Sequence, residues 1–166
     1  MKVLHIDDAY SKPHNYFSIL KDSIEAWGIE LIQEGSFEGG EIAKYFPSDD
    51  GTPKQVILDL MLQDVGSPAG TSALDVVFDE VDIVVYSSAE LTHLSAKAAE
   101  RLERRLGAEW KAKKFVFKGG TSEEDERKEA ASLLKRFSAE NIASIRDSLA
   151  NDDAREAFDE VLQQAN

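Results

Sequence analysis

The sequence contains no cysteine, which excludes a disulfide framework, thiolate catalysis and any zinc site built on sulfur. Histidine is almost as scarce: His5, His14 and His93 are the three present, at no spacing that joins two of them on one metal. Transition-metal enzymes are thereby set aside, and none of the three histidines is a candidate for catalysis. Positive charge is short as well, with 19 Lys and Arg against 32 Asp and Glu and a formal charge of -13. A total of that sign repels phosphate backbones and anionic lipid, so direct nucleic-acid binding is not expected. Long hydrophobic runs are missing. Stretches such as Val76-Val77-Phe78 and Ile83-Val84-Val85-Tyr86 fall far short of the roughly 20 residues that span a bilayer, and the acidic pair Asp7-Asp8 arrives too early for a signal-peptide apolar region. The pairs Gly39-Gly40 and Gly119-Gly120 lack the flanking pattern of a P-loop. A soluble, cytoplasmic protein with no membrane partner is the expectation.

What is present is apolar content for one core: 166 residues, 42% of them hydrophobic, a length that makes one main domain the default. Short apolar, β-branched runs at 3–6, 29–32, 56–60, 83–86 and 115–117 read as five strands. Helical periodicity falls between them. Phe17, Leu20, Ile24 and Trp27 share one face; Ile42, Tyr45 and Phe46 mark a shorter helix, Leu74, Val77 and Phe78 another, and Leu91, Leu94, Ala98, Leu102 and Leu106 a long one. The segment Gly66-Ser67-Pro68-Ala69-Gly70 reads as a loop. Alternating strands and helices, with the first, third and fourth strands reading as nearly continuous apolar runs, describe an α/β fold with a doubly wound parallel sheet. Thr121 with Glu124 forms a capping box for the next helix, whose face carries Ala130, Leu133, Leu134 and Phe137. The same period continues through Ile142, Ile145 and Leu149; Asn151-Asp152-Asp153 offers a break and a new cap before Phe158, Val161 and Leu162. Residues 1–138 are therefore assigned to the α/β domain and 139–166 to an acidic helical extension.

In open parallel sheets, functional groups gather beyond the carboxyl ends of the strands. The first strand ends in Asp7-Asp8, the third in Asp59, the fourth in Ser87-Ser88-Ala89 and the fifth in Lys118, whereas the second ends in nothing comparable. Taken singly, each of these has a plainer explanation: an Asp that caps a helix, a turn residue, a solvated lysine. Their coincidence at four strand ends is the signal. Three carboxylates brought together would repel one another unless a cation neutralised them. All-oxygen donors suit Mg²⁺, and a lysine and a hydroxyl alongside suit a phosphoryl group.

Asp7-Asp8, Asp59-Leu60-Met61-Leu62, Ser88-Ala89 and Lys118 in this order resemble the receiver domain of two-component response regulators, over about the first 140 residues. The resemblance implies a flavodoxin-like five-stranded sheet of strand order 2-1-3-4-5. It implies that Asp59 accepts a phosphoryl group from a sensor histidine kinase or phosphotransfer protein, with Asp8 as a direct Mg²⁺ ligand and Asp7 as the neighbouring acid. Met61 stands at the position whose backbone carbonyl coordinates the ion. Ser88 and Lys118 match the groups that contact the phosphoryl oxygens, and Phe115 the aromatic that reports the state of Ser88. Two positions depart from the pattern: Gln63 and Gly119 each stand where the family commonly has proline. The output would be a changed protein contact, and the chain would act as a signalling domain that catalyses its own phosphorylation and dephosphorylation. The alternative is a degenerate receiver that serves as a phosphorylation-independent interaction or dimerisation module. A phosphohydrolase is disfavoured because such enzymes need a second acid where Met61 stands.

Charge is uneven along the chain. Between 97 and 118 there are eight basic and three acidic residues, and between 139 and 166 seven acidic and two basic. The basic stretch reads first as a solvated helix with internal Glu-Arg pairs. The apolar stripes of the extension need a surface to pack against, either the domain itself or a second copy. A homodimer through the extension, or through the face of the long helix and fifth strand, is accordingly expected.

Overall fold

The computed structural model describes residues 1–11, 17–35, 44–46, 53–60, 74, 77 and 79–166. The described strands are β1 (Lys2–Ile6), β2 (Glu30–Glu34), β3 (Gln55–Leu58), β4 (Asp82–Ser87) and β5 (Phe115–Phe117). They form one sheet in the order β2-β1-β3-β4-β5, and every pair is parallel. This is the doubly wound, flavodoxin-like arrangement, with helices on both faces. Strand alternation feeds two cores. Leu4, Ile6, Val56, Leu58, Ile83 and Val85 point to one side, where Leu102 and Trp110 join them. Val3, Ile57, Val84, Tyr86 and Val116 point to the other, against Leu20, Ile24 and Leu133. Both faces of the central strands are buried, which is why those strands read as nearly continuous apolar runs.

The described helices are α1 (Ser18–Glu25), α2 (Ala96–Leu106), a single turn α3 (Trp110–Lys113), α4 (Glu123–Lys135), α5 (Ala139–Ser148) and α6 (Asp152–Gln164). Their ends correct the sequence expectations. The periodic stretch from Leu91 is not one helix: residues Leu91–His93 make a 3₁₀ turn, and Ser95 interrupts by capping α2, its Oγ accepting from Ala98 N at 3.1 Å. The capping box lies one residue later than expected, with Ser122 Oγ accepting from Asp125 N at 3.1 Å. A cap needs non-helical backbone, and Ser122, not Thr121, supplies it at the helix start. The period from 130 to 149 is likewise broken, by Ser138, which caps α5 through Asn141 N. Asn151 caps α6 as its sequence predicts, accepting from Ala154 N at 2.8 Å. The helix and loop expected around 42–46, 66–70 and 74–78 fall largely outside the described residues; Phe46, Leu74 and Val77 are described and are buried in the α2-side core.

The stripes of the last two helices find their cover within the same chain. Ile145 and Phe158 are buried in the core that holds Leu20 and Ile24, and Ile142, Leu149 and Leu162 pack around them. Phe158 meets the Trp27 ring at 5.1 Å between centroids. Polar contacts fix α5 beneath the sheet: Asn141 Nδ2 donates to Lys54 O at 2.9 Å and to Gln55 Oε1 at 3.0 Å. The Asp82 carboxylate accepts both Lys114 Nζ at 2.7 Å and Ser138 N at 3.0 Å. Two of the extension's acids pair within it, Asp159 with Arg146 and Asp152 with Arg155. Among the described residues, no helix is long and apolar enough to cross a membrane.

Candidate functional site

Asp7, Asp59 and Lys118 each follow directly on the last residue of a strand, and the register brings these ends together. Ile6 pairs with Leu58 and Leu58 with Val85, and Asp59 N donates to Ile6 O at 3.0 Å. Asp7 and Asp59 are almost fully buried, and with half-buried Asp8 they can place one carboxylate oxygen each within 4.8 Å of one another. Lys118 reaches into this group, with Nζ 2.6 Å from Asp7 Oδ2 and 3.3 Å from Asp59 Oδ2. Burial pushes the Asp7 carboxyl above its ordinary pKa; Lys118 opposes that push and Asp59 adds to it. Burial acts against the Lys118 ammonium, but Asp7 and Asp59 together hold its pKa above the ordinary lysine value.

The hydroxyl at this site belongs to Ser87. Its Oγ donates to Asp59 Oδ1 at 2.6 Å and accepts from Ala89 N at 3.2 Å. The Ser88 side chain, expected in that place, is exposed. The register explains the offset. Leu58 pairs with Val85, which sets Asp59 level with Tyr86 and Ser87 one residue above it. Ser87 Oγ reaches the carboxylate from there, and Ser88, the next residue along, turns its side chain out to solvent. Phe115 packs instead near the edge of the Trp110 ring, 6.3 Å between centroids, in the α2-side core. Met61 and Gln63 lie outside the described residues, as does His14.

An aromatic wall closes the side of the site away from α2. Phe17 and Tyr86 present their rings to Lys118 Nζ at 5.4 and 5.7 Å from the centroids, a range in which a ring face attracts a cation. Phe17 takes a left-handed backbone, φ 61, rare for a bulky residue, and its ring also packs against His5 and Tyr10. His5 is fully buried behind Asp7. Burial, with Lys118 adding, lowers its pKa to about 3, so the ring is neutral and pairs through Nδ1 with Tyr10 Oη at 2.5 Å.

Sequence reasoning missed two participants. Tyr86 reads there as strand core, yet its hydroxyl donates to Glu129 Oε2 at 2.7 Å. Glu129, on α4, also accepts from Gly119 N at 3.0 Å and Gly120 N at 2.9 Å through Oε1. Only its place beside the apolar face at Ala130 and Leu133 hinted that it points inward.

Chemically, the site is an oxygen-lined anionic pocket balanced by one ammonium. The donor set fits a hard divalent cation such as Mg²⁺: it is all carboxylate, it converges, and half-buried Asp8 leaves a side on which the ion would keep water. No family model matches the chain, and no curated protein matches it. Among solved structures, it is similar to a CheY-like response regulator receiver domain protein from Methanospirillum hungatei JF-1, with 16% identity, coverage of 99% of this chain and 98% of that one, and a TM-score of 0.48. It is also similar to the signal receiver domain of a LuxO repressor protein from Vibrio parahaemolyticus, with 14% identity, coverage of 99% and 98%, and a TM-score of 0.46.

Proposed function

We propose that this chain is a phosphoacceptor signalling domain in which Asp59 takes a phosphoryl group from the phosphohistidine of a sensor histidine kinase or phosphotransfer protein. The observation that carries the reading is the convergence on one buried carboxylate of a hydroxyl, an ammonium and two further acids. An Asp59 carboxylate oxygen attacks phosphorus, the new P–O bond forms as the P–N bond breaks, and the donor imidazole leaves. Ser87 and Lys118 already touch the Asp59 oxygens and need move little to hold the added phosphoryl oxygens. Catalysis of this kind is positioning and charge neutralisation, since the donor is already reactive. Asp7, Asp8 and Asp59 would hold Mg²⁺, which supplies charge neutralisation for the transferred group. Hydrolysis by water breaks the same P–O bond and restores the carboxylate.

The extension folds onto the α1 and α4 side, and the face of α2 and β5, with Phe117 exposed among the described residues, would make the changed protein contact, a homodimer included. The test is incubation with Mg²⁺ and acetyl phosphate followed by intact-mass measurement. One phosphoryl adduct is expected, and Asp59→Asn should eliminate it. No adduct in the parent chain, or an undiminished one in Asp59→Asn, overturns the reading.

A further inference from the structure

Lys118 is followed by two glycines, the residues that lose most conformational freedom on folding, so a lysine that must meet a small target precisely placed beside Asp59 needs something to hold what comes after it. The backbone on its near side is tied, because Lys118 N donates to Ser87 O at 3.0 Å. On its far side the tether is a side chain from another element. Glu129 Oε1 accepts from Gly119 N at 3.0 Å and Gly120 N at 2.9 Å, and Oε2 accepts from the Tyr86 hydroxyl at 2.7 Å. Tyr86 is one of the two residues whose rings face the Lys118 ammonium. One carboxylate thus grips the peptide beyond the lysine and the ring beside its charged end. Gly120 permits that approach: a Cβ there would stand 3.1 Å from both Glu129 carboxylate oxygens and 2.6 Å from Asp125 Cβ.

We propose that Glu129 is a positioning residue for Lys118. It clamps the β5–α4 turn and the Tyr86 phenol so that the ammonium rests against Asp7 and Asp59. The proposal rests on the phosphoacceptor reading for its effect on phosphoryl transfer, but the clamp also sets how strongly Lys118 competes with a cation for Asp7, and that is measurable without any transfer.

The experiment compares the full chain with Glu129→Ala and Glu129→Gln. Three readouts are taken: the rate of adduct formation from acetyl phosphate with Mg²⁺, hydrogen exchange at the Gly119 and Gly120 amides, and Mg²⁺ affinity by calorimetry. Glu129→Ala should slow uptake about tenfold, as expected for loss of orientation and not of a reacting group. Exchange at both glycines should rise about as much, and Mg²⁺ should bind several-fold more tightly because a loosened ammonium leaves Asp7 to the ion. A lesion that merely loosened the fold would weaken Mg²⁺ binding instead. Glu129→Gln keeps an oxygen acceptor for the two peptide N–H groups and should stay within about threefold of the parent on all three. If Glu129→Ala fails to fold, Glu129→Asp, one methylene too short to span both contacts, takes its place. Alanine values within twofold of the parent, or a glutamine variant as impaired as alanine, overturn the proposal. A parent chain that takes up no phosphoryl group overturns the phosphoacceptor reading alone; exchange and Mg²⁺ affinity then decide the clamp.

Discussion

Lys118 Nζ lies 2.6 Å from Asp7 Oδ2, so the ammonium already holds one oxygen of a carboxylate in the acidic cluster of Asp7, Asp8 and Asp59. A divalent ion held by that cluster would have to compete with the ammonium for one anionic pocket.

Millimolar Mg²⁺ should raise the thermal midpoint of the parent chain, because a ligand bound only by the folded state stabilises it. Asp8→Asn should remove most of that rise. Lys118→Met should strengthen Mg²⁺ binding by about tenfold, the effect of removing one nearby like charge, while slowing phosphoryl uptake. A midpoint indifferent to Mg²⁺ in the parent would remove the basis for the metal site.

The two adjacent serines should separate cleanly. Ser87→Ala removes a buried hydroxyl that both donates to Asp59 and accepts from the chain, and should cost about 1–2 kcal/mol of stability together with a slower uptake from acetyl phosphate. Ser88→Ala, at an exposed position, should fall within about 0.5 kcal/mol of the parent. Equal effects at both positions in chemical denaturation and uptake would contradict the register described above.

His5 should give the protein an acid-sensitive component of stability. Its folded pKa, about 3, lies below the ordinary value near 6.5, so the unfolded chain binds the proton more readily. This contribution is fully present above pH 6.5 and is lost as the pH falls toward 3. Asp7, raised by burial, works in the opposite sense over the acidic part of that range. Subtracting the unfolding free energies of His5→Phe from those of the parent, pH by pH, isolates the histidine. A flat difference between pH 7 and 4 would show that His5 is not held neutral.

The last two helices should be inseparable from the domain's stability. Phe158→Ala empties a fully buried aromatic site against Trp27 and should cost about 3–5 kcal/mol. A chain ended after Phe137 should unfold at lower denaturant, since it exposes the partners of Ile145 and Phe158 in the α1-side core. An unchanged denaturation midpoint in either variant would mean that the extension is only loosely attached. Light scattering on the full chain tests the separate question of a homodimer, whose apolar motive in these stripes is now satisfied within one copy.

The sequence by itself determined the architecture and the acids and lysine that meet at the strand ends. Five apolar runs with helical periods between them suffice for a parallel sheet wrapped on both faces, because periodicity reports burial directly. Acids and a lysine at the ends of those runs suffice to place them together, because parallel strands end on one edge. The tertiary structure alone decided which neighbour of two meets the target. Ser87 and not Ser88 stands at Asp59 because of the β3–β4 register, a relation between segments more than twenty residues apart in the chain. Glu129 enters because α4 lies across the turn after β5, and its place beside Ala130 and Leu133 does not by itself single that carboxylate out among the acidic residues around it. The stripes of α5 and α6 demanded a cover, and hydrophobic pattern cannot say whose surface supplies it; the packing of Phe158 on Trp27 does. Local pattern encodes which face of an element is buried, while register and crossing are set by long-range contacts that no short window of sequence contains.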